Sequence, residues 1–188
     1  MHVGILALQG GVAEHETVLH QLGHSTSWVR RPQDLKNLEA IVIPGGESSV
    51  IDKLARAFEL EKPLREAIDS GLPTLATCAG LIYCAREIAN PSPGQQTLGV
   101  LDVEVQRNAF GRQRESFDAT ISIDEQHYPV SFIRAPEIIS HGPKVEVLAR
   151  VQDRIIAVQQ GSITGLSCHP EEHGDTRLYQ WWLEKAPH

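Results

Sequence analysis

The chain has 188 residues, 41% hydrophobic and 22% charged, proportions that suit one globular domain spanning residues 1–188 and able to bury a full core. A formal charge of −7 argues against a nucleic-acid groove, which needs clustered Lys and Arg, and no apolar run approaches the ~18 residues of a membrane span. Three cysteines give no disulfide framework and suit a reducing compartment, so a cytoplasmic protein is expected.

The opening "HVGILAL" is a near-continuous apolar run with no basic segment before it, so it reads as a buried first strand rather than a secretion signal. After Gly10-Gly11, "VAEHETVLHQLG" reads as a helix with Val12, Val18, Leu19 and Leu22 on one face and Gly23 as its stop. "STSWVR" and "AIVIPGG" are the second and third strands. "ESSVIDKLARAFEL" follows as a helix, with Ser48 or Ser49 as cap and Val50, Leu54 and Phe58 spaced at four. A short helix over about residues 63–70 leads to the strand "LPTLAT", and a helix-forming pattern begins near Ala79. Alternating strand and helix predict an α/β fold with a mostly parallel central sheet flanked by helices.

From Leu98 the texture changes. "VLDVEVQ", "FDATISI", "HYPVSFI", "VEVLARV", "RIIAVQQ" and "SITGLSCH" lie between turn signals with little helix. They predict an antiparallel extension of the sheet or a ribbon upon it. "EEHGDTRLYQWWLEKAPH" holds a last helix whose Trp181 and Trp182 are expected in the core. "NPSPGQQ" and "RNAFGRQRE" read as polar loops.

Cys78 stands where the strand "LPTLAT" hands over to a helix. A thiol there faces a helix N-terminus, whose free N–H groups favour thiolate and can stabilise an oxyanion. This is the logic of the nucleophile elbow, Gly-x-nucleophile-x-Gly. Gly80 fills the second glycine position; Ala76 replaces the first and is expected to fit with slight strain. Taken alone the pattern is weak, since most buried cysteines are inert packing. A thiol nucleophile also needs a base and an orienting group. In "SITGLSCHPEEHG", His169 and Glu171 flank Pro170, and an extended backbone would turn both side chains to one face. In "IPGGESSV", Gly45 and Gly46 let main-chain N–H groups approach a ligand, and no Lys follows them as a phosphate-binding loop requires. Cys84, about 240° round a helix from Cys78, and Cys168 are expected to pack in the interior.

"PGGES", "TCAGL" and "CHPE", in this order, resemble the class I (triad-type) glutamine amidotransferases, whose fold is flavodoxin-like. "GILALQGGVAEH", "GGESSVI", "ATCAGLI", "VQRNAFGRQRESF" and "FIRAPEI" narrow the resemblance to the glutaminase subunits of pyridoxal 5′-phosphate synthase, over nearly the whole chain. The resemblance implies hydrolysis of L-glutamine to L-glutamate and ammonia by a triad of Cys78, His169 and Glu171. It implies an oxyanion hole from Gly46 and Ala79 with Gln9 close by. It implies glutamine contacts at Gly46, Glu47, Ser48, Arg107, Ile133 and Arg134. Neither cofactor nor metal is expected. The implied partner is a (β/α)₈-barrel synthase subunit in a 12+12 complex, which would receive the ammonia and complete the oxyanion hole on docking. Competing readings are a glutaminase subunit of another pathway, a DJ-1-like cysteine hydrolase, and a zinc module using Cys78, Cys168 and His169.

Overall fold

The computed structural model describes residues 1–110 and 116–185. The first half forms β1 (His2–Leu6), α1 (Val12–Gln21), β2 (Ser25–Val29), β3 (Ala40–Ile43), α2 (Ser48–Ala57), α3 (Glu61–Asp69), β4 (Thr74–Thr77), α4 (Ala79–Cys84) and β5 (Ala85–Ile88). The second half adds β6 (Leu101–Gln106), β7 (Phe117–Ile123), β8 (Gln126–Phe132), β9 (Glu137–His141), β10 (Glu146–Val151), β11 (Arg154–Gln160), β12 (Ile163–Leu166) and α5 (Arg177–Lys185).

Among the described residues ten strands share one sheet, ordered β2-β1-β3-β4-β12-β11-β9-β6-β5, with β10 on β11. The first five run parallel. Beyond β12 the pairings turn antiparallel, apart from the parallel β5–β6 pair at the far edge. β7 and β8 form a separate two-stranded ribbon. The sheet therefore has both the extension and the ribbon expected, but β12 departs from expectation by pairing parallel with β4. No helix among the described residues is long and apolar enough to cross a membrane.

Strand side chains alternate between two cores, as the period of two requires. Leu6, Ile41 and Ile43 join the face covered by α2, α3 and α4. Val3, Ile5, Ala40 and Val42 join the face covered by α1, α5 and the ribbon. Trp181 and Trp182 lie in that second core, as the sequence suggests.

Two local readings, both in α2, are corrected. In α2 the buried face is Ser48, Ile51, Asp52 and Ala55, whereas Val50 and Phe58 are exposed. Polar groups draw that face inward: the Asp52 carboxylate accepts from the Arg56 guanidinium at 2.8 and 2.9 Å and from the Gln96 N–H at 2.9 Å. The cap is neither serine but Glu47, whose carboxylate accepts from the Ser49 N–H. The helix after Cys78 ends at Cys84, and "AREI" becomes β5 because β6 offers it a parallel partner. β9, over Glu137–His141, is a strand that the sequence reading did not anticipate.

Candidate active site

The parallel strands all deliver their carboxyl ends to one rim, where ligands of open α/β sheets bind. Gln9 to Gly11 follow β1, Gly45 and Gly46 follow β3, Cys78 follows β4, and His169 lies three residues past β12. The sheet extension adds Arg107 after β6, and the ribbon adds Ile133 and Arg134 after β8. These residues, with Glu47, Ser48, Ala79 and Glu171, line one cleft of about 320 Å³. All eleven residues singled out from the sequence meet there.

Cys78 is a sharp elbow, at φ 48° and ψ −105°, and strain sits there rather than at Ala76. Ala76 lies within β4, fully buried and paired with Ile43 and Gly165. Gly80 is indispensable to the turn: a Cβ there would overlap the Ile43 carbonyl oxygen. Cys78 is 7% exposed, its sulfur 3.9 Å from the Ile133 carbonyl oxygen, whereas Cys84 and Cys168 are sealed in the core. Burial pushes the Cys84 thiol up to about 12 and that of Cys168 well above its ordinary value.

The His169 Nδ1 lies 2.7 Å from Glu171 Oε1. Their shared face does not arise from an extended segment: Pro170 is helical, at φ −72° and ψ −23°, and Glu171 opens a 3₁₀ turn. The backbone of His169 is held separately, exchanging N–H···O bonds of 2.7 and 3.2 Å with Ser131 of β8. Burial opposes a charge on His169, but the sulfur of Cys78 and the hydrogen-bonded carboxylate of Glu171 outweigh it and push the imidazole up to about 10. Burial likewise opposes the Glu171 carboxylate; His15 and His169 overcome this and hold it below its ordinary value.

A raised imidazole contributes stability fully present below its ordinary 6.5 and lost as the pH rises through about 10. Removing the sulfur leaves Glu171 alone to sustain the shift. In Cys78→Ala the His169 Cε1–H resonance should therefore titrate lower than in wild type, read by NMR. An unchanged midpoint would mean that sulfur and imidazole do not interact.

Around this trio the cleft is polar. The carboxamide oxygen of Gln9 accepts from the Glu47 N–H at 2.6 Å, so it braces the Gly45-Gly46 turn and leaves only its NH₂ as a donor. Ala79 opens α4, where first-turn N–H groups have no partner within the helix. The Arg107 guanidinium donates to Ser92 Oγ at 2.6 Å, Gln95 Oε1 at 3.2 Å and Glu47 Oε1 at 3.4 Å, while Gln95 Nε2 donates to Ser48 Oγ at 2.8 Å. Ser92 and Gln95 thus organise two of the expected ligand contacts, although their segment "NPSPGQQ" reads only as a loop. Of "RNAFGRQRE", residues 111–115 lie outside the described residues. His15, Glu14, Asn108 and Glu172 also went unnoticed; the last three line the cleft, and His15 lies behind it.

Among the described residues, the ligating atoms that gather within 4.8 Å of one another are those of His169, Glu171 and Glu172, without either thiol, so nothing supports zinc held by Cys78 and Cys168.

The sequence matches the SNO glutamine amidotransferase family over residues 5–187. It is 56% identical to the pyridoxal 5′-phosphate synthase subunit PdxT of Corynebacterium glutamicum, over 98% of this chain and 95% of that one. It is also 56% identical to the PdxT subunit of Corynebacterium diphtheriae, covering 97% and 98% of the two chains. Among solved structures, a glutamine amidotransferase superposes with a TM-score of 0.93 at 44% identity over 98% of both chains. PurLQS from Thermotoga maritima superposes at 0.70 with 17% identity over 97% of both chains, a likeness of fold alone. Matched over nearly its full length, the chain belongs to the SNO glutamine amidotransferase family.

Proposed function

We propose that this chain, residues 1–188 acting as one glutamine amidotransferase domain, hydrolyses L-glutamine to L-glutamate and ammonia and supplies the ammonia to a pyridoxal 5′-phosphate synthase. The observation that carries the reading is His169 hydrogen-bonded to Glu171 in the same cleft that Cys78 lines. The names of the PdxT relatives support the pathway.

The chemistry follows from the arrangement. Cys78 Sγ attacks the side-chain amide carbon of glutamine with its proton already held by His169, whose imidazole stays charged up to about pH 10. The oxyanion is held by N–H groups of Ala79 and Gly46, with the Gln9 carboxamide beside them. His169 then protonates the departing nitrogen, and ammonia leaves behind a thioester on Cys78. Water attacks the thioester, its proton returning to His169, and glutamate departs as the thiol is restored. Glu171 fixes the imidazole so that Nε2 faces the sulfur and Nδ1–H faces the carboxylate. Glu47, Ser48, Ile133 and the guanidinium groups of Arg107 and Arg134 bind the amino-acid end of the substrate, the arginines matched to its carboxylate.

Ammonia released to neutral water is mostly protonated and no longer nucleophilic. The reading therefore includes a docked (β/α)₈-barrel synthase in the cytoplasm, in a 12+12 assembly, that receives ammonia through a dry path. Docking also completes the oxyanion hole. Glutamate formation measured with and without the synthase tests this. The expected result is slow turnover alone and a marked rise on mixing. Equal rates would discard partner activation, and no turnover in either arm would discard the glutaminase.

A further inference from the structure

One buried titratable group touches the triad and has no place in the chemistry above. His15 lies on the inner face of α1 with Val18 and Leu19 and is 0% exposed. Three other elements converge on its ring. Nδ1 is 2.6 Å from the Tyr179 hydroxyl of α5, a residue equally buried. Nε2 is 3.3 Å from the hydroxyl of Thr77, the last residue before the elbow, and 3.6 Å from Glu171 Oε1.

We infer that His15, held in one tautomer by Tyr179, is a positioning residue that keeps Glu171 ionised and aimed at His169. The inference rests on the glutaminase reading of the same site. Burial lowers the His15 pKa despite the attraction of Glu171, so the ring is neutral and carries a single N–H. Burial also raises the phenol of Tyr179 well above its ordinary value, so it keeps its proton. The hydroxyl oxygen lies 2.6 Å from Nδ1 and donates that proton to it, and the ring's own hydrogen is left on Nε2. The other tautomer would point the Nε2 lone pair at the Glu171 carboxylate, two negative ends face to face. The tautomer follows from the network of neighbours.

Glu171 Oε1 thus lies between two imidazoles: it accepts from His169 Nδ1–H at 2.7 Å and faces the positive end of the His15 N–H at 3.6 Å. At that distance the second contact is a charge–dipole attraction rather than a hydrogen bond. In a buried setting it is little screened. The other titratable groups around the cluster are Glu14 on α1 and Cys168 beneath Glu171. Burial by itself would raise the pKa of Glu171, and the His15 N–H dipole at 3.6 Å opposes that rise. Without it, Glu171 takes up a proton at higher pH and His169 loses its orientation.

The test compares His15→Leu, His15→Gln and Tyr179→Phe, each assayed with the synthase across pH and each titrated as free chain by ¹³C NMR of the Glu171 carboxyl. Loss of the N–H in His15→Leu should lower kcat roughly tenfold, the factor of one buried polar contact, with KM for glutamine unchanged. Its acid limb of kcat should move to higher pH, together with the Glu171 midpoint. Tyr179→Phe keeps the ring volume but frees the tautomer, so it should shift both in the same direction. His15→Gln keeps an N–H donor and should recover part of the shift. A wild-type acid limb and a wild-type Glu171 midpoint in the Leu and Phe variants would overturn the inference, whatever happens to overall yield or stability. If wild type releases no ammonia, the glutaminase reading has failed, and the carboxyl titration still decides whether His15 governs Glu171.

Discussion

Cys78→Ala should abolish ammonia release from glutamine, by a factor on the order of 10⁶, the scale for loss of a triad nucleophile. No nearby group can replace the sulfur: Cys84 and Cys168 are sealed in the core with thiols pushed to high pKa. The fold should survive. Alanine keeps the Cβ that the elbow already tolerates at φ 48°, and it removes only an atom bordering an open cleft. The variant should therefore still bind the synthase, seen as co-elution on size exclusion, while glutamate formation disappears. Turnover retained in this variant would take Cys78 out of the chemistry. Loss of both turnover and binding would mean instead that the elbow had collapsed.

A second substitution reaches the imidazole without touching it chemically. A Cβ built on Gly45 falls within van der Waals overlap of His169 Cε1 and 3.1 Å from its Nδ1. The Gly45 backbone is outside the left-handed region, so alanine meets no conformational barrier there. The ring is not free to give way, since Glu171 grips its Nδ1 and Ser131 grips its backbone. Gly45→Ala should thus push the base off its line to the sulfur and lower kcat by about 10²-fold, the cost of a misplacement near 1 Å. Because the overlap must be relieved against held groups, the melting temperature should fall as well. Unchanged kcat would show that the imidazole is loosely held and that the turn after β3 does not set its position.

Much of this arrangement was legible because local chemistry announces it. Buried apolar runs ending in "PGG" and "TCAG" mark parallel strands that stop at a rim, and a His two residues from a Glu allows an imidazole to meet a carboxylate, although only the resemblance gave that pair its expected role. What escaped depends on partners far along the chain. The apolar spacing of Val50, Leu54 and Phe58 suggests a core face, yet Gln95, Gln96 and Arg56 hold Ser48 and Asp52 and rotate α2 the other way. "AREI" has helix-forming residues and becomes a strand only because β6 lies beside it. His15 shows a histidine at helical spacing from Val18 and Leu19, but its meaning lies in Tyr179, 164 residues away. The turn at Pro170 brought His169 and Glu171 together by a route other than the extended one the spacing suggested.

The position of β12 bears on how the protein is born. It follows every other described strand in sequence, yet it is inserted in the middle of the sheet, between β4 and β11. A chain still emerging from the ribosome leaves β4 with an open edge and Cys78 without its imidazole, which arrives only three residues after β12. A chain in which β12 has not yet docked therefore holds the elbow without the imidazole and carboxylate that the proposed chemistry requires.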